Sequence, residues 1–292
     1  MSPSSHHKPS LKPHAGDGPI HIDVVNPNPN THIRIRVFRE SDTARVHELF
    51  KTGIGYGPKS SRHAALRGSL TGLFSISTYI FFLIGAALLV FPHESPLCPP
   101  RATRYLGLAL CLLSATLFFY HRNLINRWFL KHANSVERST DFRDIRTFYN
   151  IGEDGKLGAD GFWVAELIAD GEEEGQVVGC VGLAKFKSTN PFPPTTSELR
   201  RMAVDASLQR RGIGKKLLTT VLAHARNQEI MSIRLSTTAH QKSAVGIYER
   251  FGWKMLGVSR MITVDKVGPR WVDLRVVDFE LDLVGGNGEK MA

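Results

Sequence analysis

Between Leu199 and Leu218 the chain sets a short apolar stretch, Met202, Ala203 and Val204, ahead of Gly212, Ile213 and Gly214. An amphipathic run follows in which Leu217, Leu218, Val221, Leu222 and Ala225 share one helical face. This pattern predicts a strand that turns directly into a helix whose first turn carries two glycines. The first amides of a helix lack partners within it, the macrodipole places partial positive charge at that end, and a glycine lets a phosphate approach the backbone without meeting a β-carbon. Gln209, Arg210, Arg211 and Lys215 add donors and positive charge at the same point. Capture of a pyrophosphate is the chemistry these residues suit. A glycine pair alone is equally compatible with an ordinary strand-to-helix turn, and it is the flanking strand and amphipathic helix that favour the phosphate site.

Further along, Gln241-Lys-Ser-Ala-Val-Gly-Ile-Tyr-Glu-Arg-Phe-Gly-Trp253 reads as a second short helix that a glycine ends and a strand follows. At this point the chain resembles the GNAT superfamily of acetyl-CoA-dependent N-acetyltransferases. Gln209, Arg210, Arg211, Gly212, Ile213 and Gly214 match that family's Gln/Arg-x-x-Gly-x-Gly/Ala loop. Ala244, Tyr248, Phe251, Gly252 and Trp253 match its second, tyrosine-bearing segment. The resemblance covers most of Ile33 to Leu283, and Gln241 stands where many relatives carry Asn.

The resemblance implies an α+β fold, the acyl-CoA N-acyltransferase architecture of a mixed, mostly antiparallel sheet flanked by helices, with acetyl-CoA as donor cosubstrate and no metal. It implies that Gln209 to Lys215 hold the coenzyme pyrophosphate, that free amides at Met202, Ala203 and Val204 receive the thioester carbonyl and pantetheine arm, and that Gln241 and Tyr248 contact the coenzyme. Acetyl transfer needs a base for the acceptor ammonium, donors for the developing oxyanion and a partner for the departing thiolate. Glu198 opens the strand where several family members carry the base; the competing reading is a surface carboxylate paired with Arg200 or Arg201. Tyr248 occupies the family position beside the thioester sulfur, against the plainer reading of a tyrosine packed on an apolar helix face. His240 is a further candidate for touching coenzyme or substrate, whereas His224 is expected on the exposed side of its helix. Cys180 lies in a predicted strand without a neighbouring base, so a covalent acyl-enzyme is not expected.

The elements that position these groups are interrupted. Leu70 to Phe91 carries no charged residue, and as a helix it would extend about 33 Å, close to the hydrocarbon thickness of a bilayer. A second apolar run, Tyr105 to Tyr120, would extend about 24 Å and lies beyond the proline-broken connection Pro92 to Arg104. Buried core helices are the alternative. Lys59, Arg62 and Arg67 precede the pair and Arg122, Arg127 and Lys131 follow it, while the connection carries Arg101, Arg104 and Glu94, so both outer flanks are expected on the cytosolic side. Ile33 to Arg39 alternates as a strand and Asp42 to Phe50 follows as a helix. If that strand pairs with later ones, only a double crossing keeps the sheet on one side. An acetyltransferase domain interrupted here resembles the camello-like, membrane-anchored branch, as do Phe162-Trp-Val-Ala-Glu166 and Gln176-Val-Val-Gly179.

The expected organisation is a disordered tail at 1–30, an acetyltransferase domain at 31–284 with an inserted transmembrane hairpin at 70–120 (70–91 and 105–120), and a frayed tail at 285–292. Asn134 to Tyr149 is expected as one amphipathic helix. Scattered histidines in the first tail read as solvated. The 292 residues carry a net charge of +10 with a pI near 9.7, which suits CoA phosphates or an anionic membrane face; no nucleic-acid-binding module accompanies it. Three cysteines, Cys98, Cys111 and Cys180, form neither a zinc spacing nor a disulfide framework. The resemblance therefore implies a multi-pass N-acetyltransferase of the endoplasmic reticulum or another endomembrane, with its catalytic domain in the cytosol. Its partners would be acetyl-CoA, an amine and the lipid bilayer. A catalytically inactive acyl-CoA sensor or membrane scaffold is the alternative.

Overall fold

The computed structural model describes residues 31–91, 99–186, 195–260 and 275–284. The tails 1–30 and 285–292, the first part of the proline-broken connection and the loop at Pro191–Pro194 lie outside the described residues. Strands β1 (Thr31–Val37), β2 (Gly161–Ala169), β3 (Gln176–Lys185), β4 (Thr196–Val204), β5 (Ser232–Thr238), β6 (Lys254–Arg260) and β7 (Arg275–Asp282) form a sheet in the order β1-β2-β3-β4-β5-β7-β6. The β4–β5 pair is parallel and the other neighbours are antiparallel. The sequence periodicity follows from position: β2 and β3 read as nearly continuous apolar runs because both faces are covered, whereas edge strand β1 alternates.

One face of the sheet is covered by helix α7 (Ile213–Asn227), which buries Leu217, Leu218, Val221, Leu222 and Ala225, and by helix α8 (Lys242–Arg250), which buries Tyr248. Half-buried His224 packs edge-to-face on Trp163 at 4.9 Å instead of facing solvent. The other face is covered by α1 (Thr43–Lys51), the end of a long helix α4 (Pro100–Asn134), and the short helices α5 (Thr140–Arg143) and α6 (Ile145–Phe148). Asn134 to Tyr149 is thus not one helix. Ser139, at φ −68° and ψ 143°, and Asp144, at φ −147° and ψ 89°, both break it, and the Asp144 side chain accepts from Thr147 N at 2.9 Å to cap α6.

Helix α2 (Ser61–Gly68) leads into α3 (Leu73–Val90), which packs on α4. At its 18 residues α3 extends roughly 27 Å, and the 35 residues of α4 extend roughly 52 Å. The helix that carries the second apolar run therefore continues past Tyr120, through His121, Ile125, Phe129 and Ala133, four apart and all buried. The first half of α4 shares with α3 a surface of exposed apolar side chains, Leu73, Leu83 and Phe119 among them, and the second half belongs to the core. The two helices meet at a glycine contact: a β-carbon on Gly85 would stand 2.8 Å from Cys111 Sγ and from the Gly107 carbonyl oxygen.

Candidate active site

The β4–β5 ladder holds only at its start, with Thr196, Ser197 and Glu198 opposite Ser232, Ile233 and Arg234. Beyond Glu198 the two strands run on without pairing each other, which leaves the β5-facing edge of β4 open. A bulge marks the opening: between Cys180 and Gly182 the register slips, and Arg201 takes φ +55°. Met202, Ala203 and Val204 lie just past that bulge and are half-buried.

The loop after β4 is fixed by Asp205, whose backbone N donates to Val178 O at 2.8 Å and whose Oδ2 accepts from Arg45 Nη2 at 2.8 Å. Arg210 and Gly212 both adopt left-handed backbone, at φ +68° and +80°. Gly212 is the N-cap of α7, so the amides of Ile213, Gly214 and Lys215 begin the helix with no partner inside it. Arg210, Arg211 and Lys215 are exposed around that end. Ile213 contributes backbone alone, because its side chain is buried in the core. A β-carbon on Gly214 would lie 3.2 Å from Met202 Cε and 3.3 Å from Ile247 Cδ1, so the helix start, the open edge of β4 and α8 converge on one point. A separate groove of about 510 Å³, lined by Ile35, Gly212, Lys215, Lys216, Thr219 and Thr220, lies between α7 and β1.

Tyr248 projects from α8 into this convergence. Its hydroxyl donates to Met202 Sδ at 3.5 Å, and its ring packs near Trp253 and Phe279. Burial pushes the phenol well above its ordinary range, so it keeps its proton throughout the working pH range. Gln241, at the start of α8, has both ends of its amide engaged: Oε1 accepts from Thr237 Oγ1 at 2.8 Å and Nε2 donates to Ser61 Oγ at 2.6 Å. It ties α2 to α8, and His240 lies against Gly68 on the same seam. At the closed end of the opening, Glu198 is half-buried and accepts from Arg200 Nη1 at 3.2 Å. Burial raises its carboxyl above the ordinary range, opposed by the Arg200 charge. Cys180 is wholly buried, its thiol is pushed up to about 12 by burial, and it donates to Arg201 O at 3.3 Å, so it makes no thiolate near neutrality.

The sequence reading missed Asp141. It is buried on α5 and joins Arg200 and Arg201 behind Glu198. No local pattern marks it, because its bidentate partner Arg201 lies 60 residues away on a strand.

The model of the acetyltransferase (GNAT) family matches residues 123–253. The chain is 30% identical over 250 residues to human N-acetyltransferase 8B, covering 84% of this chain and 92% of that protein. It is 30% identical over 228 residues to N-acetylaspartate synthetase of Xenopus tropicalis, covering 77% and 71% respectively, and 28% identical over 230 residues to the Danio rerio protein of the same name, covering 79% and 70%. With the opened parallel strand pair and the glycine-led helix beside it, these matches show that the chain belongs to the GNAT acetyltransferase family, in its camello-like branch of N-acetyltransferases.

Proposed function

We propose that the protein is a membrane-anchored enzyme that transfers acetyl from acetyl-CoA to an amine by direct attack in a ternary complex. The observation that carries this reading is the parting of β4 from β5 directly after Glu198, with the start of α7 and Tyr248 on its walls. In this reading the amides of Ile213, Gly214 and Lys215, with Gln209, Arg210, Arg211 and Lys215 side chains around them, hold the pyrophosphate. The pantetheine arm lies along the edge of β4, where amides among Met202, Ala203 and Val204 polarise the thioester carbonyl. Glu198, directly or through a water, removes a proton from the acceptor ammonium. The free amine attacks the carbonyl carbon, the tetrahedral intermediate collapses by breaking the carbon–sulfur bond, the Tyr248 hydroxyl gives its proton to the leaving sulfur, and the second proton shed by the attacking nitrogen restores the phenol.

The exposed apolar surface of α3 and the first half of α4 supports anchoring in a bilayer, with both ends of the pair on the side that carries the sheet. Basic residues at Lys59, Arg62, Arg67, Arg122, Arg127 and Lys131 favour the cytosolic side of an endomembrane. The acceptor is an amine; the two N-acetylaspartate synthetases among the relatives make L-aspartate one of the amines to try.

Calorimetry with acetyl-CoA on the detergent-solubilised protein tests the coenzyme site. Gly212→Asp places a carboxylate and a β-carbon at a φ +80° position beside the phosphates, and it should weaken binding by roughly a hundredfold. An unchanged Kd contradicts the loop assignment. CoA release is then followed with L-aspartate, S-benzyl-L-cysteine, an Nα-blocked lysine and spermidine, and tight acetyl-CoA binding without release on any of them contradicts the catalytic reading.

A further inference from the structure

Behind Glu198 two arginines share one buried carboxylate. Arg200 donates from Nη1 to Glu198 Oε2 at 3.2 Å and brings Nη2 within 3.4 Å of Asp141 Oδ2. Arg201 donates twice to the same Asp141, from Nε at 2.6 Å and from Nη2 at 2.7 Å. Asp141 is only 2% exposed, and the Arg201 guanidinium lies 4.9 and 4.7 Å from the ring centroids of Phe50 and Phe142. A carboxylate this buried persists only with its charge matched and its oxygens bonded. Arg201 also carries the φ of +55° at the bulge, a conformation that a non-glycine residue keeps where its surroundings over-determine it. The bidentate bond to Asp141 and the two rings are those surroundings.

We propose that Asp141 is a positioning residue for acetyl transfer: through Arg200 it fixes the Glu198 carboxylate and the field around it, and through Arg201 it holds the bulge from which the open edge of β4 starts. The first half of this rests on Glu198 being the base. Opposed charges then govern when Glu198 ionises. Burial raises its carboxyl most, the Arg200 cation lowers it, the Asp141 anion raises it further, and the Arg201 cation lowers it. Asp141 itself is pushed up by burial, but the Arg201 bonds and the charges of both arginines outweigh this, so it lies below the ordinary carboxylate range and stays ionised.

Among the described residues, the other groups facing this cluster come from several elements. β5 supplies Arg234, in register with Glu198 and bonded to Glu280 of β7 at 2.8 Å. β3 places uncharged Ala184 opposite Glu198. Behind Arg201 stand His132 of α4 and the buried Cys180 thiol, and beside Asp141 stands the Tyr149 phenol, which burial keeps protonated.

The test is the pH profile of kcat at saturating acetyl-CoA, with whichever of the four amines above the wild-type protein acetylates fastest. A base works only when ionised, so activity falls on the acid side as pH drops through its pKa. Asp141→Asn removes the anion that raises Glu198 and frees Arg200 to pair with it, so the acid limb should move to lower pH, with a plateau loss of roughly tenfold. Arg200→Gln removes the cation and should move the limb to higher pH. Asp141→Glu should return the limb towards its wild-type position. Limbs that stay in place in both Asp141→Asn and Arg200→Gln, with Glu198→Gln inactive, overturn the inference while sparing the base. A Glu198→Gln protein that keeps the wild-type limb overturns the base and the inference with it. If Asp141→Asn does not fold because Arg201 is left unpaired, Arg200→Gln decides, since it leaves the Asp141–Arg201 pair intact.

Discussion

At the scale of single residues, the site separates into groups that hold charge and one that holds a proton. Tyr248 is the second kind. It is buried, its phenol stays protonated, and among the described residues its hydroxyl reaches only the soft Met202 sulfur at 3.5 Å. A thioether is a weak acceptor, so little folding energy depends on that bond and the hydroxyl is available to a stronger acceptor such as a departing thiolate. Tyr248→Phe keeps the ring against Trp253 and Phe279 and removes only the oxygen. It should leave the thermal midpoint within a few degrees and the Kd for acetyl-CoA within about threefold, yet lower kcat by roughly ten- to a hundredfold. Single-turnover rates and calorimetry on the same preparation measure both quantities, and an equal loss in each would make Tyr248 a coenzyme contact instead of a donor to the leaving group. The left-handed Gly212 and the helix it caps are legible from sequence because they depend on neighbours in the chain. The role of Asp141 is not, since its bidentate partner Arg201 is 60 residues away.

At the scale of elements, the same division explains where sequence periodicity stops informing. An uninterrupted apolar run marks where a helix meets lipid or a core on all sides, but it does not mark where the helix ends. In α4 the run fades at Tyr120, and the helix continues because His121, Ile125, Phe129 and Ala133 form a one-sided stripe that the domain covers. After Ser135 the apolar spacing of Val136, Phe142, Ile145 and Phe148 still looks helical, yet Asp144 leaves helical geometry to cap the next turn. The approach of α3 to α4 depends on small residues: Gly107 would place a β-carbon 2.7 Å from the Gly85 carbonyl oxygen, and Gly85 would place one equally hard against α4. Two helices in lipid gain little from the hydrophobic effect on meeting and rely on such close contact. Gly85→Leu should therefore separate the pair at a cost of about 2 kcal/mol, seen as a lower midpoint in detergent melting. Leu83→Ala, on the outward surface at 66% exposure, should change it little; equal effects would mean the glycine contact does not hold the hairpin.

For the whole molecule, topology constrains the chain more tightly than charge does. β1 pairs with β2 from Thr31↔Ala169 to Val37↔Trp163, and between those strands in sequence lie both apolar helices. A sheet cannot be hydrogen-bonded across a bilayer, so the segments before α3 and after α4 must share one compartment, and the pair must either cross twice or not at all. The seam from Gln241 to Ser61 and from Arg122 Nη1 to Leu66 O, at 2.6 and 2.8 Å, fastens α2 and the emerging α4 to the catalytic side of the sheet. If the pair crosses a bilayer, the active site is held close to its surface. An N-glycosylation acceptor inserted in the connection between α3 and α4 should be modified when the chain is made with microsomal membranes. Acceptors placed before β1 or after β7 should stay unmodified. A modified acceptor before β1 together with an unmodified one after β7 would mean a single crossing, which the β1–β2 ladder forbids. A chain that carbonate washing strips from the membranes, with no acceptor modified, would make α3 and α4 a soluble pair whose apolar surface meets another protein instead of lipid.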